Sequence, residues 1–232
     1  MIAKENIVVA KNATEAFDQW YEILKAQHEA GFKQESRAGA VVGEIINAIT
    51  IIEDPTRGIC NSKIRNMPMR YAWGELLWYL SGSNRLSDIQ KFTPNWDGLT
   101  DNGVTLNSAY GYRIFNQFGF DQLNHVANLL RKDANSRQAV IHIKDASDTP
   151  TKDTPCTIAL QYHLREGKLH ATTIMRSNDI WLGFPYDVFA FTSLQILLSM
   201  ILGVEVGEYT HIAGSLHLYE RNVIADGLKQ TK

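Results

Sequence analysis

The sequence predicts one α/β domain over residues 1–232, in which strands and helices alternate along the chain. A chain of 232 residues that is 44% hydrophobic can bury one large core. Segments in which apolar and polar residues alternate, as in half-buried strands, lie between segments with apolar residues at helical spacing. One stretch that is apolar almost all round predicts a central buried helix.

In the N-terminal half, periodicity and end signals define the elements. Asn12 is a suitable N-cap for the first helix, and Gly31 is a suitable stop. β-Branched residues favour a strand after the first loop. The predicted elements are a helix over 13–30, a loop over 34–40, a strand over 41–52, a helix over 69–80 and a loop-rich region over 83–101.

In the C-terminal half, two strands flank a turn at Glu166 and Gly167, which predicts a hairpin. Asp187 stands at the start of the most apolar helix, where an N-cap is the local structural interpretation. The predicted elements are a helix over 122–131, strands over 139–143, 158–164 and 169–174, and a helix over 187–203.

Composition limits the function classes. A net charge of −2 gives no basic surface for nucleic acid or for a membrane. The longest apolar run, 196–204, is too short to span a bilayer, and no signal peptide is recognised at the N-terminus. Two cysteines, Cys60 and Cys156, form no disulfide framework, so we expect a reducing, cytoplasmic compartment.

Cys156 is the first candidate for chemistry. It follows Pro155, and the predicted hairpin would bring it to the same end of a sheet as Arg176. A thiolate is the nucleophilic form of cysteine, and a nearby guanidinium lowers the thiol pKa. The structural alternative is a small buried hydrophobic residue, which is the commoner role of a lone cysteine.

Several motifs occur together in one order and spacing. The motifs are Pro155-Cys156, Gln161, Arg176-Ser177-x-Asp179-x-x-Leu182-Gly183-x-Pro185, Glu75-Leu76-Leu77-Trp78, and Gly214-Ser215-Leu216-His217-Leu218-Tyr219. With these motifs the chain resembles the thymidylate synthase family from about Arg37 to Tyr219. Within that superfamily it resembles the phage-type deoxycytidylate hydroxymethylases more closely than thymidylate synthase itself.

The resemblance implies a large twisted mixed sheet flanked by helices, and a homodimer formed through that sheet. It also implies a pyrimidine nucleoside monophosphate as substrate and 5,10-methylenetetrahydrofolate as co-substrate, without a metal. The expected setting is the cytoplasm of a bacterium or of a phage-infected host.

The resemblance assigns roles to five residues around the reacting base. Cys156 would add to C6 of the pyrimidine, and Glu75 and Tyr110 would move protons. Asp179 would take part in catalysis and contact the folate, against which Trp96 would also lie. From the residues alone, Glu75 is an exposed helix acid, and Trp96 is either a binding-site tryptophan in a loop or a hydrophobic plug.

A second group would hold the rest of the nucleotide. Arg137 would reach across the dimer to the partner's phosphate site, but the family's second arginine is Gln138 here, which removes one charged donor. From the residues alone, Arg37 is a solvated loop arginine and His217 is a core histidine. The expected substrate-binding residues are Arg37, Arg137, Arg176, Ser177, Gln161, Asp187, His217 and Tyr219.

Asp187 occupies the position that discriminates between bases. Thymidylate synthases carry an asparagine there, whose amide pairs with N3–H and O4 of uracil. Cytosine presents the reverse edge, which a carboxyl group can pair with, whereas uracil O4 would face a carboxylate unpaired. The resemblance therefore predicts a cytidylate substrate, CMP or dCMP, and a 5-hydroxymethyl product.

Three alternatives stay open. The chain could be a thymidylate synthase acting on dUMP, or a cytidylate 5-methylase. It could instead be a nucleotide-binding homologue without activity, although Glu75, Cys156, Arg176 and Asp179 are all present. The family's C-terminal region closes over the folate, and the few residues after Tyr219 are an expected departure from that pattern.

Overall fold

The computed structural model describes residues 6–36, 38–94, 96–148 and 151–223. Its helices are α1 (Ala13–Glu29), α2 (Met69–Ser81), α3 (Leu86–Gln90), α4 (Tyr110–Phe115), α5 (Gln122–Lys132) and α6 (Phe184–Leu202). Its strands are β1 (Ile7–Ala10), β2 (Gln34–Ser36), β3 (Gly39–Ile52), β4 (Val140–His142), β5 (Thr157–Arg165), β6 (Lys168–Met175), β7 (Asn178–Asp179) and β8 (Glu205–Tyr219).

One eight-stranded mixed sheet organises the molecule. Six strands follow the order β1-β3-β8-β6-β5-β4, while β2 pairs with β3 and β7 pairs with β8. The pairs β1 with β3 and β6 with β8 are parallel, and each is joined through a helix. The predicted α/β fold with a mixed sheet is confirmed.

The central strand β8 is longer than the sequence predicted, because only a short extended segment around His217 and Tyr219 was recognised. β8 pairs antiparallel with β3 from Val41 opposite Tyr219 to Ile52 opposite Tyr209. Several of its residues are polar, which hides the apolar alternation of a buried strand.

The predicted ends of the first helix and the predicted hairpin turn are confirmed. Asn12 Oδ1 accepts from the backbone N–H of Glu15 at the start of α1, and Gly31 follows the helix in the left-handed region with φ of 86°. Glu166 and Gly167 have φ of 51° and 76° and join β5 to β6 in a tight hairpin. Two predicted loops were partly wrong, because they contain the short elements β2 and α3.

The core lies between the sheet and the helices α1 and α6. Trp20 of α1 is fully buried and donates its indole N–H to Thr50 of β3 at 2.8 Å. α6 has the length and hydropathy of a membrane-spanning helix, but most of that window is buried inside the fold. Packing against β6 and β8 explains its apolar composition, as the sequence predicted.

Alternate residues of the sheet remain partly exposed. Along β6 and β8, fully buried residues alternate with half-buried ones over most of each strand. Ile158 on β5 is 37% exposed, and Ile46 on β3 is 56% exposed. The inward face therefore packs against the helices, while the outward face keeps apolar surface.

Candidate active site

A cavity of about 470 Å³ opens between α2, α4, the first turn of α6 and the C-terminal end of β8. Its volume falls in the range of small-molecule sites. Most of the predicted site residues line it, although they are widely spaced in the sequence. These are Glu75, Trp96, Tyr110, Cys156, Arg176, Ser177, Asp179, Asp187, His217 and Tyr219.

The hairpin of β5 and β6 holds Cys156 beside Arg176, as predicted. The backbone N–H of Arg176 donates to the Cys156 carbonyl at 2.8 Å. The guanidinium donates from Nε to the Pro155 carbonyl and from Nη2 to the Thr154 carbonyl, each at 3.0 Å. Arg176 is thereby anchored to the segment that carries the thiol while it stays exposed at the cavity.

The thiol is not activated in the way that the sequence analysis expected. Burial raises the pKa of Cys156, and the carboxylates of Asp187 and Asp153 raise it further. Arg176 lowers the pKa, but its effect is smaller than that of burial. The lowered thiol pKa that the sequence predicted is therefore wrong, because the cost of removing a thiolate from water exceeds its attraction to one partly solvated guanidinium.

Glu75 lies inside the cavity wall rather than at an exposed helix edge. It is 6% exposed, and burial together with the nearby Asp187 raises its pKa to about 8. Tyr71, one helical turn earlier on α2, donates its hydroxyl to Glu75 Oε1 at 2.8 Å. The indole N–H of Trp96 donates to the Tyr71 hydroxyl at 3.3 Å. Glu75 is therefore a protonated acid at neutral pH.

Asp187 is not the N-cap of α6. The helix begins at Phe184 with Gly183 as its cap, and Asp187 lies one turn into the helix, where its backbone N–H donates to the Gly183 carbonyl. Burial raises the pKa of the Asp187 carboxyl to about 7. Asn178 Nδ2 donates to its Oδ2 at 2.7 Å. The side chain is free from capping and faces the cavity.

Tyr110 connects α4 to the strand that follows the thiol. Its hydroxyl oxygen accepts the backbone N–H of Thr157 at 3.2 Å. Burial raises the pKa of Tyr110 well above its ordinary value, and Asp187 and Cys156 raise it further. The hydroxyl is consequently neutral and can donate toward the region beside Cys156.

Asp179 lies at the turn between β7 and α6. Its Oδ1 accepts the backbone N–H groups of Trp181 at 2.7 Å and Leu182 at 3.2 Å. Both bonds fall on one oxygen, which leaves Oδ2 for a ligand. Burial raises the Asp179 pKa despite these donors.

His217 and Tyr219 line the cavity from the end of β8. Their rings meet edge to face, with centroids 5.0 Å apart. Ser215 donates its hydroxyl to Glu44 on β3 at 2.5 Å and lies 3.5 Å from His217 Nδ1. Since side chains two apart on a strand share a face, Ser215 lies on the same face as His217 and Tyr219, which line the cavity.

Two predicted residues lie away from the cavity, and a third is outside the described residues. Gln161 lies about 16 Å along β5 from Cys156 and donates to the Arg137 carbonyl at 3.4 Å, so its expected substrate contact is corrected. Arg137 is exposed beside it. Arg37 lies outside the described residues, although Ser36 and Ala38 line the cavity.

Sequence reasoning missed two residues that contact the predicted acids. Tyr71 stands four residues before Glu75, a spacing that places both on one face of α2. Asn178 lies inside the recognised Arg-Ser-Asn-Asp motif, but its partner Asp187 is on another element. The first contact has a signal in the local spacing, whereas the second has none.

The arrangement places a nucleophile, the protonated acid Glu75, the Asp187 carboxyl with a pKa of about 7 and a neutral phenol around one space. Such a set suits covalent addition to an electrophilic ring with proton transfer on either side. Within the described ranges, no cluster of three His, Cys, Asp or Glu side chains is placed to hold a metal ion.

Comparison with known proteins gives one family. Residues 18–230 match the family model described as thymidylate synthase. The chain is 33% identical over 196 residues to a deoxyuridylate hydroxymethyltransferase of Bacillus phage SP01, which covers 78% of this chain and 51% of that protein. It is 32% identical over 164 residues to a thymidylate synthase of Bacillus subtilis subsp. natto, covering 67% and 58%. The chain thus spans little more than half the length of these two relatives.

Solved structures show the same fold. Thymidylate synthase from T4 phage superimposes with a TM-score of 0.72 at 22% identity, over 87% of this chain and 76% of that one. Thermostable thymidylate synthase A from Bacillus subtilis superimposes with a TM-score of 0.73 at 23% identity, over 90% and 80%. The chain therefore shares its overall fold with these proteins.

Proposed function

Because the chain belongs to the thymidylate synthase family, we propose that it transfers a one-carbon unit to C5 of a pyrimidine nucleoside monophosphate. We further propose that the substrate is a cytidine nucleotide and that the product is its 5-hydroxymethyl derivative. The observation that carries the proposal is the buried Asp187 carboxyl in the same cavity as Cys156 and Glu75.

Cys156 starts the reaction as the nucleophile. Its thiol loses a proton, the thiolate forms a bond to C6 of the base, and the C5–C6 double-bond electrons move toward N3 and C4. C5 thereby gains carbanion character without a cofactor. Because burial raises the thiol pKa, the free site holds a protonated thiol. As the bond to C6 forms, this proton passes to water, and Arg176 stabilises the thiolate.

Glu75 and Tyr110 handle protons on the two sides of the ring. Glu75, with a pKa of about 8 and one hydrogen bond from Tyr71, can donate a proton to the base and can take it back. Tyr110 lies close to Cys156 and is neutral, so its hydroxyl can donate toward C5 or accept from it through water.

The residues beside Asp179 fit the family's co-substrate. Trp78 lines the cavity, and its buried indole N–H has no hydrogen-bond partner among the described residues. Asp179 offers one oxygen, and Trp96 and Leu182 add apolar surface. These groups would hold the flat, polar-edged ring of methylenetetrahydrofolate, which supplies the one-carbon unit when bound.

Asp187 supports cytosine over uracil. An ionised carboxylate accepts from the 4-amino group and from a protonated N3, and a protonated carboxyl donates to an unprotonated N3. Uracil presents O4 instead, which an ionised Asp187 leaves unpaired. An unmatched polar group of this kind costs about 1–3 kcal/mol, and more when it is charged.

Water capture completes the proposed reaction. After the one-carbon unit is bonded to C5, loss of the C5 proton and departure of tetrahydrofolate leave an exocyclic methylene at C5. Addition of water to this methylene gives a hydroxymethyl group, whereas reduction would give a methyl group. The buried acid Glu75 can orient that water. Elimination then breaks the bond between Cys156 and C6 and restores the thiol.

A uridine nucleotide is the second candidate substrate. The phage SP01 relative is named for deoxyuridylate, and the Bacillus relative is a thymidylate synthase. The asparagine of uracil-specific sites has the same size as Asp187, so protonation of Asp187 would make the two side chains alike.

We also propose that the protein acts as a cytoplasmic homodimer. The outward sheet face carries Ile158 and alternate half-buried residues of β6 and β8, as a face covered by a second copy would. Arg137 is exposed beside β5, where it could reach the partner's phosphate. Arg176 and Arg37 would hold the phosphate from the same chain.

Tritium release from C5-labelled dCMP, CMP and dUMP, with methylenetetrahydrofolate, tests the substrate. Release from a cytidine nucleotide at a rate at least ten times that from dUMP is expected, and product mass separates hydroxymethyl from methyl. Release from dUMP at an equal or higher rate would overturn the cytidylate proposal. Binding of nucleotide without release from any substrate would indicate a homologue without activity.

A further inference from the structure

A chain of hydrogen bonds runs from Asp187 into the core. Asn178 Nδ2 donates to Asp187 Oδ2 at 2.7 Å, and Asn178 Oδ1 lies 3.1 Å from His211 Nε2. His211 Nδ1 lies 3.0 Å from the Tyr209 hydroxyl, which lies 2.9 Å from the Thr173 hydroxyl. The carboxyl at the cavity is thus linked to groups that no ligand can touch.

The chain is rigid because each member is buried and held by the sheet. Asn178 is 3% exposed, and His211, Tyr209 and Thr173 are at most 1% exposed. Asn178 belongs to β7, which pairs with β8. His211 and Tyr209 are on β8 itself, and Thr173 is on β6. Buried polar groups of this kind keep one arrangement, because a side chain that moved would leave its hydrogen-bond partner unpaired and away from water.

The polarity of the chain follows from the state of His211. Burial lowers its pKa to about 3, so the imidazole is neutral and carries one ring proton. With the Asn178 amide N–H directed at Asp187, its Oδ1 can only accept, which assigns the ring proton to Nε2. Nδ1 then carries no proton and lies 3.0 Å from the Tyr209 hydroxyl, which donates to Thr173. His211 thereby keeps the N–H end of the amide toward the carboxyl.

The form of the carboxyl decides which base it can distinguish. Ionised Asp187 only accepts hydrogen bonds, so it pairs with the donors of a protonated cytosine edge and leaves uracil O4 unpaired. Protonated Asp187 offers one donor and one acceptor, an edge that pairs with either base. The ionised form is therefore the discriminating one, and an N–H donor at Oδ2 favours it.

We propose that Asn178 is a specificity-determining positioning residue, which holds the Asp187 carboxyl as an acceptor at both oxygens, while His211 fixes the direction of the Asn178 amide. The inference rests on the proposed function, because it concerns the choice between cytidine and uridine nucleotides at the same cavity. It adds that this choice depends on two residues behind Asp187.

Asn178→Leu keeps the branched shape and the number of heavy atoms of the side chain and removes the donor, although leucine is larger. We expect the ratio of kcat/KM for dCMP to that for dUMP, measured by C5 tritium release, to fall at least about tenfold. The fall should come mainly from a gain with dUMP. A folded Asn178→Leu variant whose ratio stays within about twofold of the wild-type ratio would overturn the inference.

A pair of His211 variants keeps the test independent of the stability of Asn178→Leu. Glutamine can present an amide N–H near the position of Nε2, whereas leucine cannot. We expect His211→Gln to retain the wild-type ratio and His211→Leu to lose it. Equal ratios in the two variants, at matched melting temperatures, would also overturn the inference.

The pH dependence of the ratio gives a readout that general loss of structure would not imitate. Since the Asp187 pKa is about 7, selectivity for dCMP should rise as the pH increases from 6 to 8. In Asn178→Leu the rise should move to higher pH, because the donor that lowers the pKa is gone. An unmoved profile would contradict the role of Asn178.

The titratable groups facing Asp187 are Glu75 and Tyr79 on α2, Tyr110 on α4, Cys156, Asp179 in β7 and Tyr209 on β8.

The two proposals fail in different experiments. If the wild-type protein prefers dUMP, the cytidylate function is wrong whatever the variants do. If the wild-type protein prefers dCMP and the variants keep that preference, the function stands and the role of Asn178 and His211 is wrong.

Discussion

The two ends of the cavity are built differently. The base end, defined by Glu75, Asp187 and Asn178, consists of buried side chains on α2, α6 and β7 with hydrogen bonds to neighbours. The proposed phosphate end consists of exposed guanidinium groups on segments outside the helices. Arg176 lines the cavity, whereas Arg137 does not reach the cavity of its own chain and would come from a second copy. The base end is complete within one chain, whereas the proposed phosphate end needs a second copy.

This difference separates selectivity from affinity. Buried groups cannot rearrange to suit a different partner, so the base end can discriminate between similar rings. Exposed arginines supply long-range attraction that salt weakens. We therefore expect base-end variants to change rate and base preference, and phosphate-end variants to change KM and salt dependence.

The largest effect should follow from removing the nucleophile. Cys156→Ala should lower C5 tritium release by at least about 10⁴-fold, since no other described thiol lines the cavity. Nucleotide binding, measured by calorimetry, should change little. Cys60→Ala is the matched control, because Cys60 is a buried thiol outside the cavity, and it should keep near wild-type release. Equal losses in both variants would remove the assignment.

The next effect concerns the buried acid of the base end. Glu75→Gln keeps the shape and the hydrogen-bond acceptor for Tyr71 but cannot exchange a proton. We expect kcat to fall by about 10²–10⁴-fold, which is typical of a lost general acid or base. A variant with wild-type kcat would show that Glu75 only fills space. Glu15→Gln, in the half-buried first turn of α1 and outside the cavity, is the control.

The same variant should change how stability depends on pH. The folded pKa of Glu75, about 8, exceeds its ordinary value of 4.5, so the protonated form stabilises the fold. That contribution is complete below about 4.5 and is lost as the pH rises through about 8. The melting temperature of the wild-type protein should therefore fall more between pH 5.5 and 8.5 than that of Glu75→Gln. Parallel curves would contradict the raised pKa.

A smaller effect is expected at the phosphate end. Arg137→Ala should raise KM by about 10–100-fold, with a weaker effect on kcat, because one charge-assisted contact is lost. Arg85→Ala, an exposed arginine away from the cavity, is the control. An unchanged KM would remove Arg137 from the phosphate end.

Mixing variants tests whether Arg137 acts across a dimer. In a mixed dimer of Arg137→Ala and Cys156→Ala chains, one site would keep both wild-type groups. Random mixing should therefore restore about a quarter of the wild-type activity. If the mixture is no more active than its components, Arg137 does not act in the partner's site.

The smallest effect should come from Gln138→Arg, which restores the second arginine of the family pattern. We expect KM to fall a few-fold at low ionic strength and the gain to disappear in salt. Base preference should not change. A change in the ratio of dCMP to dUMP turnover would instead mean that the two ends are coupled.

Local patterns carried most of the fold and part of the site. The apolar periodicity of α2 and α6, the cap at Asn12 and the turn at Glu166 are properties of neighbouring residues, so sequence could predict them. The family motifs then selected the cavity residues. The pairing of Asn178 with His211 joins residues 33 positions apart through the sheet, and no local pattern contains it.

The pKa values of the site residues could not be predicted from the sequence either. Arg176 beside Cys156 predicted a lowered thiol pKa, yet burial of the thiol has the larger effect. Burial depends on how α2, α4 and α6 close over β5, which sequence spacing does not give. For the same reason the local pattern predicted an exposed Glu75, whereas the fold buries it.

The position of β8 has a consequence for synthesis. β8 lies between β3 and β6 and pairs with both, although it follows every other strand in the chain. A ribosome therefore delivers the middle of the sheet after its two flanks, with α6 already made. Until residues 205–219 emerge, the nascent chain holds two unjoined strand edges and an apolar helix, which makes it a natural client for a chaperone. Because closure joins Val41 to Tyr219, slow refolding from denaturant is built into the topology.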